Sequence, residues 1–305
     1  SLQPLPPLYI STVDSGNLAG HLLTLRSGLS TLPDHKILST QWLDGLNDTF
    51  NVLMDIGDES ISYQFAEFKR NLASVSDLST MTLTSAWHCI DRLAESITEA
   101  IDHLEIDSEN EVMWWANALV RQCRNLLDEL TYFAPWILLP SAFKNISNIS
   151  GLNEIPTLRE LTSFPEKYSK AIENQFALVK TLKERKWLEE LQKLILESSD
   201  RARARMNSID RLVRQSSELA HMEYDFLYDK NRHLLAIGYS VSEHRQDSSF
   251  YDLLASEARL GNFVAIAQGQ LPQESWFALG RLLTNTGREP VLVSWSGSMF
   301  EYLMP

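Results

Sequence analysis

The chain reads as mainly α-helical, and three observations lead there. Its 305 residues hold twelve glycines and eleven prolines, about 7.5% of the chain against roughly 12% in average usage. Such a shortage of turn residues argues against an all-β sandwich or barrel. Second, residues 58–134 and 166–237 contain neither Gly nor Pro, the two residues most costly inside a helix. Third, apolar residues recur at three-four spacing through both windows, the period of one helix face.

In chain order, a first helix is expected over about 17–30. It is preceded by Thr12-Val-Asp-Ser-Gly-Asn-Leu-Ala-Gly-His21, in which Asp14 or Ser15 is the candidate N-cap. Gly16 and Gly20 stand four apart, a spacing that lets helices approach closely, and helix packing is the expected role. Further helices read over 38–55, 61–75 and 85–104. Ser108-Glu-Asn-Glu111 has the form of a capping box. Behind it Val112, Trp115, Ala116, Leu119, Cys123, Leu126, Leu127, Leu130 and Phe133 recur at three-four spacing up to Ala134-Pro135. Residues 140–157, rich in Pro, Asn, Ser and Gly, are the clearest loop. Ser163-Phe-Pro-Glu166 offers another capping box, with Pro in the first turn, where its missing N–H costs little. Phe176, Val179, Leu182, Leu191 and Leu194 continue the helical pattern. After about residue 222 the pattern changes. Tyr224–Tyr228 and Leu234–Tyr239 flank Asp229-Lys-Asn-Arg232, two aromatic and aliphatic runs around a polar turn, which predicts a β-hairpin. A helix follows over 250–268, and an apolar segment closes the chain at 291–304.

Composition narrows the function. Apolar residues make up 44% and charged residues 22%, a globular balance that excludes wholesale disorder. The net charge of −13 repels phosphate backbones and anionic lipid heads, so neither nucleic acid nor direct membrane contact is expected. Neutral polymers such as glycans remain open. Cys89 and Cys123 are too few to staple the chain and read as buried free thiols of a reducing compartment. No run of about 18 apolar residues is present. Ser1-Leu-Gln-Pro-Leu-Pro-Pro7 lacks the basic and apolar regions of a signal peptide. The absence of an initiator Met suggests a segment of something longer.

The seven histidines are scattered, and H-E-x-x-H, C-x-x-C, an EF-hand loop and a Gly-rich phosphate loop are all missing. No metal and no cofactor is expected. Arg201, Arg203, Arg205, Arg211 and Arg214 form the one basic cluster. A solvated helix face paired with neighbouring carboxylates is its expected role, an anion-binding stripe the alternative.

Two segments suit carbohydrate. In Asp247-Ser-Ser-Phe-Tyr-Asp252, Asp247 and Asp252 can accept hydrogen bonds from sugar hydroxyls while Tyr251 offers an apolar face. The plain alternative makes Asp247 or Ser248 the N-cap of the next helix. Glu257 and Arg259 are expected to pair within the core. In Trp295-Ser-Gly-Ser-Met-Phe-Glu301-Tyr302, the Trp295 indole suits the C–H face of a pyranose. Glu301 lies among apolar neighbours, which disfavour its charged form and raise its pKa, as a general acid or poised base requires; a glutamate turned to solvent is the alternative.

These blocks carry a resemblance. Tyr224–Asp229, Ile237–Tyr239, Asp247–Leu260, Phe263–Ala267 and Ser294–Pro305 are similar to the glucoamylase-like middle region of cyclic β-1,2-glucan synthases, and Ser11–His21 resembles the helical segment just upstream of it. The resemblance implies very large inner-membrane proteins. In these, one module lengthens a linear β-1,2-glucan from UDP-glucose, an (α/α)6 barrel closes it into a ring by transglycosylation, and a phosphorylase module trims it. It implies three regions here: an N-terminal helical bundle at 1–150, long connecting helices at 151–222, and the opening part of the barrel at 223–305. It also implies Glu301 as a catalytic carboxylate, with Asp247, Tyr251, Asp252 and Trp295 holding the glucan. The implied partners are β-1,2-glucan and the other modules of the parent, on the cytoplasmic face of the inner membrane. Residues 224–305 supply only about three of the twelve barrel helices. Glycosidic chemistry normally takes two carboxyls about 5–9.5 Å apart, so the second is expected beyond Pro305 and the chain alone is expected to be inactive. An exposed apolar edge near 291–304 is expected, suited to pairing with a second copy. The rival readings are a helical scaffold or docking domain without chemistry, and an endo-β-1,2-glucanase.

Overall fold

The computed structural model describes residues 3–57, 59–75, 80–104, 110–140, 149–280, 283–285, 287 and 289–293, without the side chains of 59, 60 and 292. It is mainly α, as expected. A short strand β1 (Tyr9–Ser11) leads into α1 (Thr12–Thr31), followed by α2 (Gln41–Ile56), α3 (Glu59–Gln64), α4 (Ala66–Ala73), α5 (Leu83–Asp102), α6 (Glu111–Phe133), α7 (Leu158–Leu178) and α8 (Leu182–Ala220). Then come β2 (Tyr228–Asp229), β3 (Leu234–Leu235), β4 (Gly238–Ser240), β5 (Arg245–Gln246), α9 (Ser256–Ala267), α10 (Glu274–Ala278), β6 (Leu283–Asn285) and β7 (Pro290–Leu292). Two compact units form. One spans Thr31–Ser208, and the other joins Ser1–Ser30 to Ile209–Pro305.

The unit of residues 31–208 is helical. α6 packs against α5 and α2. Its core is built from residues at helical spacing, among them Leu46, Phe50 and Leu53 on α2, Ile90, Leu93 and Ile97 on α5, and Leu119, Leu130 and Phe133 on α6, each at most 4% exposed. Cys123 lies buried beside them and Cys89 is partly buried, both as free thiols. Burial, then the neighbouring Cys89, pushes the Cys123 thiol up to about 12, which leaves it protonated and inert.

Several helix starts depart from expectation. α6 opens at Glu111 with Asn110 as N-cap, its side chain accepting from the Val112 amide at 2.8 Å. Glu111 is thus the first helical residue; Ser108, the expected cap, lies outside the described residues. α7 opens six residues earlier than the Ser163 box implies. Thr157 Oγ1 accepts from the Glu160 amide (3.0 Å), and Glu160 Oε2 accepts from the Thr157 amide (2.8 Å). Pro165 therefore sits inside the helix. Proline removes the N–H that would serve the Leu161 carbonyl; the neighbouring Thr162 carbonyl accepts from Ser199 Oγ (3.1 Å) and Arg203 Nη2 (3.2 Å) of α8. α8 has its own box, in which Glu184 takes the amides of Lys180 and Thr181.

Within the basic cluster on α8, Arg201, Arg203 and Arg205 are paired, while Arg211 and Arg214 are exposed. Arg201 meets Glu197 and the Tyr132 carbonyl, Arg203 meets Asp200, and Arg205 meets Glu129.

In the other unit, β1 pairs antiparallel with β4, and β4 with β5. The expected hairpin forms as β2 against β3, its turn fixed by Asp229, whose Oδ1 takes the amides of Asn231 and Arg232. Tyr224, Leu227, Leu235, Ala265 and Leu271 form the core of this part. α1 crosses α9 at a glycine pair. A Cβ on Gly16 would stand 2.5 Å from the Gly261 Cα, so the small residues of the Gly16–Gly20 motif serve packing. α1 begins at Thr12, ahead of the expected caps Asp14 and Ser15. Ser11 takes the capping place, its hydroxyl accepting from the Asp14 amide at 3.4 Å. α9 starts at Ser256, not Phe250, and has Ala255 as N-cap. Phe250 instead bridges to Ala236, and the next residues are spent on a turn. Neither Asp247 nor Ser248 caps a helix.

Candidate functional site

The carbohydrate-like segment at 247–252 joins the first residues of the chain. Asp247 follows β5, its amide bonded to the Gly238 carbonyl at 3.0 Å. Its carboxylate Oδ2 accepts a short hydrogen bond from the Tyr9 hydroxyl of β1. This contact requires glycine at 238, because a Cβ there would collide with the Tyr9 ring and the Ile10 carbonyl. Tyr9 is 48% exposed as a residue, so the loss of water falls on its hydroxyl end. That desolvation, the bond to Asp247, and the charge of Asp247 together raise its pKa to about 12, with a small addition from Tyr251. A phenol held protonated is a donor locked onto the carboxylate.

Tyr251 stands next to this pair, half-buried. Burial raises its pKa first, followed by the negative charges of Asp14, Glu257 and Asp247. Tyr9, Tyr251, Asp14, Asp247 and Glu257 therefore form one acceptor-rich, aromatic cluster. Asp252 is placed differently. Its Oδ1 takes the Leu254 amide at 2.9 Å, an Asx turn that shapes the approach to α9. Trp295 and Glu301 lie outside the described residues.

Beneath Tyr251 and Glu257 lies a cavity of about 10 Å³, bordered also by Thr12, Gly261 and Asn262; that is room for about one water. Asn262 is 2% exposed. Its Nδ2 donates to Ser275 Oγ at 3.1 Å, while its Oδ1 has no partner among the described residues.

Tyr9 carries no local signal of belonging to this cluster, since it lies 238 residues from its partner. Asp14 and Glu257 were visible only as a capping candidate and a core-pairing residue. A cluster of ring faces and carboxylate acceptors suits neutral polyhydroxylated ligands and repels anions. Among the described residues, no group of three or more His, Cys, Asp or Glu is placed to hold a metal ion. No described helix is long and apolar enough to cross a membrane.

No protein-family model matches the chain. Among curated proteins, the chain is 30% identical over 323 aligned residues to "Cyclic beta-(1,2)-glucan synthase NdvB" of Rhizobium meliloti (strain 1021). The alignment takes in 100% of this chain and 9% of that protein, so the chain spans less than a tenth of its relative's length. The resemblance carried by the motifs thus extends over every part of the sequence, and the chain is related from end to end to a segment of the cyclic β-1,2-glucan synthases.

Proposed function

We infer that this chain is a portion of a cyclic β-1,2-glucan synthase, drawn from the module that closes linear β-1,2-glucan into a ring by transglycosylation. The observation that carries this reading is the full-length match to such a synthase. The cluster of Tyr9, Asp247 and Tyr251 supports it, because it supplies the acceptors and ring faces that sugar hydroxyls and C–H faces need. In this reading Asp247, Tyr251, Asp252 and Trp295 hold the glucan, Asp252 also shaping the loop beside them through its Oδ1. Glu301 is the catalytic carboxylate, and its partner carboxyl comes from elsewhere in the parent. The parent works at the inner membrane, with this segment on its cytoplasmic side. The 305-residue chain alone turns nothing over.

The test is Glu301→Gln in the full-length enzyme. Ring closure is expected to be lost while linear chain growth continues, as separated by product size and by the presence of reducing ends. Rings formed at the normal rate would remove Glu301 from the chemistry. Release of short linear products by the isolated chain would favour an endo-β-1,2-glucanase instead.

A further inference from the structure

A second place suited to sugar lies in the unit of residues 31–208. Trp136, Trp187, His88, Thr84, Asn153 and Leu191 line much of a groove of about 410 Å³, within the size range of small-molecule sites. Both indole N–H groups are already used. Trp136 Nε1 donates to the Leu152 carbonyl at 3.2 Å, and Trp187 Nε1 donates to the Pro140 carbonyl at 3.0 Å. These bonds fix the ring planes, and what the rings offer the groove is carbon surface. Trp136 is 7% exposed and forms the floor; Trp187 is half-buried and forms a wall.

Polar groups stand on the other side. Asn153 Oδ1 accepts from both the amide (3.0 Å) and the hydroxyl (2.8 Å) of Thr84. Its Nδ2 is the end left to donate. His88, one turn further along α5, adds an imidazole that can donate or accept. Among the described residues, none that lines the groove is Asp, Glu, Lys or Arg. An anionic ligand finds no cation there, and a cationic one no carboxylate. Pre-fixed aromatic surface facing uncharged hydrogen-bonding groups matches a neutral ligand that is apolar on one face and polar on its edge, which describes a pyranose.

We propose that this groove is a glucan-holding site, separate from the Tyr9–Asp247–Tyr251 cluster, in which Trp187 stacks on a glucose ring of linear β-1,2-glucan and His88 and Asn153 bond its hydroxyl edge. The choice of β-1,2-glucan rests on the reading above that the parent handles this polymer; it does not depend on the chemistry assigned to Glu301. The groove holds the chain and cuts nothing.

The test is calorimetric titration of the 305-residue chain with a linear β-1,2-linked glucose pentamer, using a β-1,4-linked pentamer for comparison. Trp187→Ala is expected to weaken binding of the β-1,2 pentamer at least tenfold, and Trp187→Phe by less. His88 is exposed, so His88→Ala can be made without opening the core, and about a threefold loss is expected. No binding by the wild type would overturn the proposal, as would unchanged binding in both Trp187→Ala and His88→Ala. Equal affinity for the β-1,4 pentamer would overturn the linkage assigned. None of these results bears on Glu301, whose test is ring closure in the parent, so the two readings fail separately.

Discussion

Tyr9 and Asp247 show how a single hydrogen bond can define a site. The pair exists because β1 pairs with β4 and brings Tyr9 over Gly238. Asp247 then leaves β5 with its amide on the Gly238 carbonyl and its carboxylate toward the phenol. Residue chemistry made half of this legible. Asp247 and Tyr251 stand out as acceptor and ring face within one short motif, whereas Tyr9 sits in an unremarkable stretch and gains meaning only through a strand pairing across the length of the chain. Asp252 looked equivalent to Asp247 by type, but a local turn claims one of its oxygens. The raised Tyr9 pKa gives a pH prediction. The folded state holds this proton more tightly than the unfolded chain. The stability it contributes is therefore complete below pH 10.0 and is lost as pH rises toward about 12. Tyrosine-selective NMR titration should find Tyr9 ionising well above an ordinary phenol. In Asp247→Asn its pKa should fall but stay above 10.0, because burial is the largest cause and survives the substitution. An unshifted Tyr9 in the wild type would remove the hydrogen bond from the argument.

At the scale of elements, existence was easier to read than boundaries. The breaker-free windows became helices apart from the hairpin at the end of the second, but helix starts follow local competition among caps. Residues 157–166 contain two sequences of the form Ser/Thr-x-x-Glu. Pro165 drew attention to the second, since proline is welcome in a first turn. The helix instead starts at the first and carries Pro165 inside, where α8 lies close enough for Ser199 and Arg203 to bond the Thr162 carbonyl. Those partners come from α8, some forty residues away, so the local sequence could not announce them. Thr157→Ala should therefore cost about 1 kcal/mol in thermal or denaturant unfolding. Ser163→Ala should cost little, because the Ser163 hydroxyl only bonds back to the Glu160 carbonyl of its own helix. The opposite ranking would restore the later start. α8 follows its own pattern. Leu188, Ile195, Ala202, Ile209 and Ser216 are all buried and stand seven apart, a coiled-coil-like stripe in which small residues and serines replace some of the usual leucines. That mixture hides the period from a reading that looks only for large apolar side chains.

The whole molecule turns on where the two units divide. Periodicity changes near residue 222, and the resemblance implies boundaries near 150 and 222. Contacts group Thr31–Ser208 as one compact unit and both ends of the chain as another, with α8 contributing residues to each. Pairing of Tyr9–Ser11 with Gly238–Ser240 and the Gly16–Gly261 crossing unite the two ends. Neither contact leaves a local trace, apart from the small residues that permit close approach. The division has an energetic consequence. Leu119 is fully buried in the unit of residues 31–208, and Leu227 is 1% exposed in the other. Truncating a buried leucine to alanine costs about 2–5 kcal/mol through lost burial and the cavity left behind. If each unit is a cooperative block, Leu119→Ala should speed native-state hydrogen exchange of core amides within 31–208 and spare β4 and α9. Leu227→Ala should do the reverse, and should also release the β1 amides, although β1 is more than 200 residues away in sequence. Uniform acceleration across both units after either substitution would mean that the chain opens as one block, and the boundary at 208 would then carry no energetic meaning.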